Sequence, residues 1–406
     1  MTDRIVATGI GVISSIGAGA EDFANALYAG RCGVTLSTLP SLQKDSPVPA
    51  AEVQNFSPEP WLGNKGIRVL DRSARLLCVA AQMALTAAGL SQQIPSGGNS
   101  KLGLICGTMF GSVHSITSFD WSGLTDGPKY VNPMDFPNTV INSPAGQAAI
   151  RFKLRGVNST ISSGLSSGLY AVHYASEFLR LGRASALLAG GVEELCQESF
   201  LGFRKSGITS PQGKARPFSP DRDGMVLGEG SALWVLETEA VAKARGATPA
   251  VEVCGFGAAH DAHSISSYQV RAEGATSAIE QALRASQIGP ESVGLIVASA
   301  SGSRAGDKME ARALHNVFGS RVADIPVCAP KAAFGEALGA SGALLAVTAG
   351  IALCKRLAPP TAGFTSAEDG LRLSIVPQPI EAEYALVNCF GCDGNNAALI
   401  LRRWNG

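Results

Sequence analysis

Short apolar runs alternate with longer alanine-rich stretches from end to end of the 406-residue chain. A short run rich in Val, Ile and Leu reads as a buried strand; a longer stretch whose apolar positions return every three or four residues reads as a helix. On this basis strands are predicted at Ile5–Thr8, Gly103–Cys106, Val157–Ile161, Ala186–Ala189, Ala232–Glu237, Ala250–Gly255, Gly294–Ser299, Ala385–Asn388 and Ala397–Leu401. Helices are predicted at Ala20–Ala29, Arg72–Ala88, Leu169–Leu181, Ala275–Ala285, Lys308–Phe318 and Leu338–Cys354. Strands apolar on both faces need cover on both, so the pattern is that of an α/β fold with internal sheets between helices. The last third repeats the order of strand, small-residue turn, alanine-rich helix and strand. This predicts a pseudo-duplicated chain with halves 1–250 and 251–406 and no flexible linker. The loop Phe119–Phe136, containing Gly, Pro, Trp and Tyr, is long enough for a functional or interface excursion.

Composition narrows the function classes. Hydrophobic residues make up 46% and charged residues 16%, which suits a large interior and a buried subunit interface. With 33 basic and 33 acidic residues the net charge is zero, so the basic excess expected of a nucleic-acid or membrane-surface protein is missing. Nine irregularly spaced cysteines do not form a disulfide framework; Cys78, Cys106, Cys254, Cys328 and Cys354 read as small buried hydrophobes. Cys389 and Cys392 have C-x-x-C spacing without a second pair or a histidine cluster, so no metal is expected there. The start, Met1 to Gly9, reads as a first strand rather than a signal peptide. Ala337–Cys354 carries no charge, but its alanines and glycines point to a close-packed central helix rather than a membrane span. A soluble cytoplasmic protein is expected. No P-loop and no G-x-G-x-x-G occurs, and no cofactor is expected.

Candidate chemistry gathers at Ser162-Ser163-Gly164-Leu165-Ser166-Ser167-Gly168. A small-residue turn between a strand and a long helix lifts one side chain to a helix N-terminus, where backbone N–H groups favour negative charge. Acyl-transfer enzymes place Ser or Cys at such a point, and here the position holds Leu165. The same residues fit G-x-S-x-G, which makes Ser166 a rival hydrolase or acyltransferase nucleophile. Its partner histidine is hard to find: His114, His173, His260, His263 and His315 are the complete set, with His173 and His315 on predicted helices. His260 and His263 could form a metal pair but lack further ligands nearby.

Several segments carry a family resemblance. Arg216–Gly230 (RPFSPDRDGMVLGEG) closely resembles a hallmark run of β-ketoacyl-acyl-carrier-protein synthases, which have the thiolase fold. Val6–Gly11, Gly306–Glu310 and the glycine-rich Asn388–Asn396 match the same family in order along the chain. The resemblance implies a pseudo-duplicated, five-layer α-β-α-β-α sandwich. It also implies a cysteine that carries the acyl chain and two histidines that stabilise charge during decarboxylation and attack. By motif, Leu165 falls on the cysteine, Ser299 on the first histidine and Glu336 on the second; Lys331 alone is retained. An ionised Glu336 would repel an enolate or oxyanion, so a structural role paired with Lys331 is expected instead.

The resemblance thus implies a chain-length factor, a synthase-like subunit without a catalytic site. Its partners would be an active ketosynthase, in a heterodimer, and an acyl carrier protein. Such complexes make polyketides, of aromatic, polyene or aryl polyene type, or unusual fatty acyl chains. Carried over by motif, the tunnel and dimer contact comprise Met109, Phe110, Val113, Ile116 and Phe119, with a helix over Ser112–Trp121, then Phe136 and Thr139. Bulky side chains would stop the tunnel, and Phe110, Val113, Ile116 and Phe119 are the candidates for its floor. Phe390, Cys392 and Asp393 fall on the gating loop, where Cys392 replaces a phenylalanine. The alternatives are the Ser166 enzyme and a self-associating scaffold without a tunnel role.

Overall fold

The fold is that of a computed structural model, which describes residues 3–39, 42, 48–265, 267–367, 369–381 and 383–406. Its first half contains β1 (Ile5–Ser14), α1 (Ala20–Tyr28), α2 (Arg72–Ala87), β2 (Leu102–Gly107), α3 (Val113–Thr125) and α4 (Ser143–Phe152). β3 (Asn158–Ile161), α5 (Ser167–Arg180), β4 (Ala186–Glu193), α6 (Gln197–Lys205) and β5 (Gly230–Thr238) complete it. The second half runs through β6 (Val251–His260), α7 (Glu273–Ala285), β7 (Val293–Val297), α8 (Arg304–Phe318) and β8 (Val327–Cys328). It ends with α9 (Ser341–Lys355), β9 (Tyr384–Phe390) and β10 (Asn395–Arg403).

Strand order along the sheet is β8-β7-β9-β10-β6-β1-β5-β4-β2-β3. Each half has the same order, counted by appearance: third, second, fourth, fifth, first. The outer pairs β2–β3, β2–β4, β7–β8 and β7–β9 are parallel, whereas β4–β5, β1–β5, β9–β10 and β6–β10 are antiparallel. The halves meet where Ile5–Ala7 pairs with Val251–Val253. This repetition is the pseudo-duplicated α/β sandwich of the thiolase fold. α2 and α7 cover the outer faces, while α5 and α9 pack together in the middle against strands of both halves.

The duplication has a residue-level signature. Gly9 and Gly11 of β1 lie against the backbone of α2, so a Cβ on Gly11 would come within 1.8 Å of the Ala80 carbonyl oxygen. Gly255 and Gly257 of β6 lie against α7 in the same way, the Gly257 position being 2.1 Å from the Ala278 oxygen. Only glycine lets strand and helix approach so closely. Local signals set the helix starts: the Asp71 carboxylate accepts from Ala74 N at 2.8 Å at the head of α2, and Ser303 caps α8. α9 is the charge-free stretch, buried along nearly all its length as a core helix; a short 3₁₀ turn (Leu338–Ala340) leads into it.

Several expectations need correction. Phe119–Thr125 belongs to α3, so the excursion begins later than the loop expected at Phe119, and the helix outlasts Trp121. β7 stops at Val297, leaving Ser299 in the following loop. Cys354 is exposed in the last turn of α9, and Cys254 is half-buried because side chains of β6 alternate between a buried and a less covered face. His260 ends β6, and His263 lies beyond it outside any strand or helix. α4 and α6 were not anticipated; both are short, and Pro144 and Gly202 interrupt their helical pattern.

Candidate functional site

The turn from β3 into α5 closes on itself. Ser166 Oγ donates to the Ser163 carbonyl at 2.8 Å, and Ser167 Oγ donates to the Gly164 carbonyl at 2.7 Å while accepting from Ser163 N at 2.8 Å. Gly164, at φ 59°, faces the Asp393 carboxylate so closely that a Cβ would fall 1.5 Å from Oδ2. Leu165 is 1% exposed and belongs to the main core, and its carbonyl accepts from Cys389 Sγ at 3.1 Å. Ser166 is fully buried with its hydroxyl committed to a carbonyl. Four of the five histidines are engaged elsewhere: His114 with Glu198, His173 stacked on Phe256, His260 accepting from Ala262 N and His315 with the Asp369 carbonyl.

Ser299 and Glu336 come together at Lys331, while Leu165 is tied to the neighbouring Cys389 through its carbonyl. Phe390 N donates to Ser299 Oγ at 2.9 Å, which ties the segment after Cys389 to the loop after β7. Lys331 Nζ reaches Ser299 Oγ at 3.5 Å and Glu336 Oε2 at 2.7 Å, with both charged side chains 1% exposed. The expected pairing of Lys331 and Glu336 is therefore present. The other Glu336 oxygen accepts from Leu338 N at 3.1 Å and from the Ser341 hydroxyl, at the N-terminus of α9. Lysine and helix end thus both favour a negative charge at this point, which is how a carboxylate can stand there. Burial pushes the Lys331 ammonium down, but the adjacent Glu336 charge outweighs it and holds the lysine above its ordinary value.

Two thiols lie near this cluster, those of Cys389 and Cys392. Burial pushes the Cys389 thiol up to about 12 and Cys392 to about 11, so both are protonated and inert at neutral pH. Glu310 accepts from Ser299 N and from Asn388 Nδ2, each at 2.9 Å, and burial raises it to about 7. Beside Ser299, Tyr268, Glu310 and Phe390 line a void of about 10 Å³, roughly the size of one water. Phe390 and Cys392 are buried, and Asp393 accepts from Asn395 N at 3.2 Å and Asn395 Nδ2 at 3.0 Å.

The remaining motif positions lie on the outside of the molecule. Met109 and Phe110 are half-buried, and the Phe110 ring packs edge-on to Phe203 at 6.3 Å. Val113, Ile116 and Phe119 lie on α3, a helix with no buried residue. The Phe119 ring is 5.9 Å from that of Phe136, which is 63% exposed, and Thr139 Oγ1 donates to the Phe136 carbonyl at 2.8 Å. Trp121 and Leu124 on α3 and Tyr130 and Met134 on the segment after it are exposed. Sequence reasoning missed Phe203, Glu193 and Glu310. The signal for Glu193 was a carboxylate closing the otherwise apolar run Ala186–Glu193, buried throughout.

Two family models match in tandem: the β-ketoacyl synthase N-terminal domain over residues 2–242 and the β-ketoacyl synthase C-terminal domain over residues 250–365. The 3-oxoacyl-acyl-carrier-protein synthase 2 of Coxiella burnetii is 33% identical, covering 98% of each chain. Among solved structures, the ishigamide ketosynthase/chain length factor superposes with a TM-score of 0.91 at 29% identity, covering 100% of both chains. A type II polyketide ketosynthase, in complex with its acyl-carrier protein and bound to the hexaketide, superposes with a TM-score of 0.87 at 25% identity. It too is covered over its full length.

Proposed function

The chain belongs to the β-ketoacyl synthase family, and from that premise we propose that it is a non-catalytic chain-length factor. It pairs with an active ketosynthase and shapes the tunnel into which a polyketide or polyene chain grows from an acyl carrier protein, in the cytoplasm. The observation that carries this reading is the Lys331–Glu336 ion pair, buried where family chemistry needs a neutral, charge-stabilising imidazole, beside Leu165 and Ser299. The likeness to the ishigamide ketosynthase/chain length factor supports the role, and the outward-facing apolar surface of α3 supports the partner. Phe110 is the proposed floor of the tunnel.

Co-expression with a ketosynthase that keeps its Cys-His-His site, followed by mass analysis of carrier-bound products, tests the proposal. A stable heterodimer is expected, and Phe110→Ala is expected to lengthen the product. Identical products with and without this chain would refute the role and leave a self-associating scaffold. Covalent labelling of Ser166 by an activated fluorophosphonate would refute it in favour of a hydrolase; the burial of that hydroxyl argues against labelling.

A further inference from the structure

Glu193 ends β4 with its side chain 1% exposed, and four donors converge on it. Met109 N and Gly339 N donate to Oε2 at 2.6 and 3.0 Å; Phe110 N and the Thr108 hydroxyl donate to Oε1 at 3.0 and 3.2 Å. Two of these donors are the backbone amides of the very turn that bears the proposed tunnel floor. A third belongs to the 3₁₀ turn that follows Glu336 and leads into α9. That turn and the floor segment are in close contact, since a Cβ on Gly339 would fall 2.3 Å from Met109 N.

We propose that Glu193 is a positioning residue for chain length: its carboxylate fixes the Met109–Phe110 turn against the Glu336–Gly339 segment and so sets where Phe110 stops the growing chain. This rests on the chain-length reading above. The physical ground is the acceptor count. A carboxylate offers two oxygens, each taking two donors here, whereas an amide offers one oxygen and turns an NH₂ group toward donors. Glu193→Gln therefore keeps the volume and frees half of the cradle. Among the described residues the Phe110 ring meets only the ring of Phe203, so a loosened turn leaves the floor without a fixed height.

The test uses the heterodimer with its ketosynthase, its products measured by mass spectrometry. Glu193→Gln is expected to spread products over neighbouring lengths, lowering the main product's share about threefold. Heterodimer yield and total turnover are expected to be unchanged. Because Glu193 acts through Phe110, adding Glu193→Gln to Phe110→Ala is expected to change nothing further. Thr108→Val removes one donor to Glu193, together with the acceptor of Gly111 N, and a smaller spread is expected. If Phe110→Ala shifts product length while Glu193→Gln and Thr108→Val leave it as in wild type, the positioning role is overturned and the chain-length reading stands. If no variant, Phe110→Ala included, shifts product length, the chain-length reading itself falls.

Discussion

Lys331 and Glu336 have each been taken out of water on condition that the other is present. Breaking one side leaves an uncompensated buried charge, so Glu336→Gln is expected to destabilise the chain by about 3 kcal/mol in urea denaturation. Replacing both, as Lys331→Met with Glu336→Leu, is expected to restore most of that loss, because well-packed apolar groups often match a buried ion pair. A second expectation concerns pH. Burial raises Glu193 and Glu310 to about 7, Asp307 to about 6, and Glu194 in the same direction. An acid whose pKa is higher folded than unfolded gives its full stability below the unfolded value and loses it as pH rises through the folded one. The window here runs from about 4.5 to about 7, so the chain should be more stable near pH 6 than near pH 8. Glu193 and Glu310 should each contribute about 1 kcal/mol to that difference. His173, lowered by burial, opposes the trend as a single group. Melting curves at the two pH values check the sign, and Glu310→Gln should flatten the difference.

Among the elements, α3 is the outlier: thirteen residues long, amphipathic in composition, yet with none of its side chains buried. Helices in water gain most of their stability from packing one face, so α3 is expected to exchange its amide hydrogens rapidly in the isolated chain. In the heterodimer its amides should become protected. Trp121→Glu should weaken association without changing the stability of the chain alone by more than about 0.5 kcal/mol. The elements that sequence patterns placed well were those with a long apolar repeat, such as α2, α7 and α9. α2 starts where predicted, at Arg72, with Asp71 as its cap, whereas α8 starts ahead of the predicted Lys308, at Arg304, where the Ser303 cap rather than the pattern sets the boundary. α3 was legible as a helix but not as exposed, since its apolar residues face a surface that the sequence alone does not locate. The cluster of Leu165, Ser299 and Glu336 was legible through its motifs. The cradle around Glu193 was not, because three of its four donors are backbone amides and carry no residue type to read.

At the scale of the whole molecule, the two halves repeat strand order, direction and the glycine pairs that bring strand against helix. The sequence shows the repeat only weakly, because packing constrains size and shape at a few positions, such as Gly11 and Gly257, and leaves the rest free to diverge. That repeat also fixes when the chain can fold. β1 is made first but lies in the middle of the sheet, between β5 and β6. Its partner Thr238 follows Ile5 only after roughly two hundred residues have been synthesised, at about 5–20 residues per second. For tens of seconds on the ribosome, a strand apolar on both faces has neither strand neighbour, with only helices such as α1 and α2 available to shelter it. A stall or truncation before Gly230 should therefore release an aggregation-prone nascent chain, and chaperone demand should peak over that stretch of translation and fall once β5 has emerged.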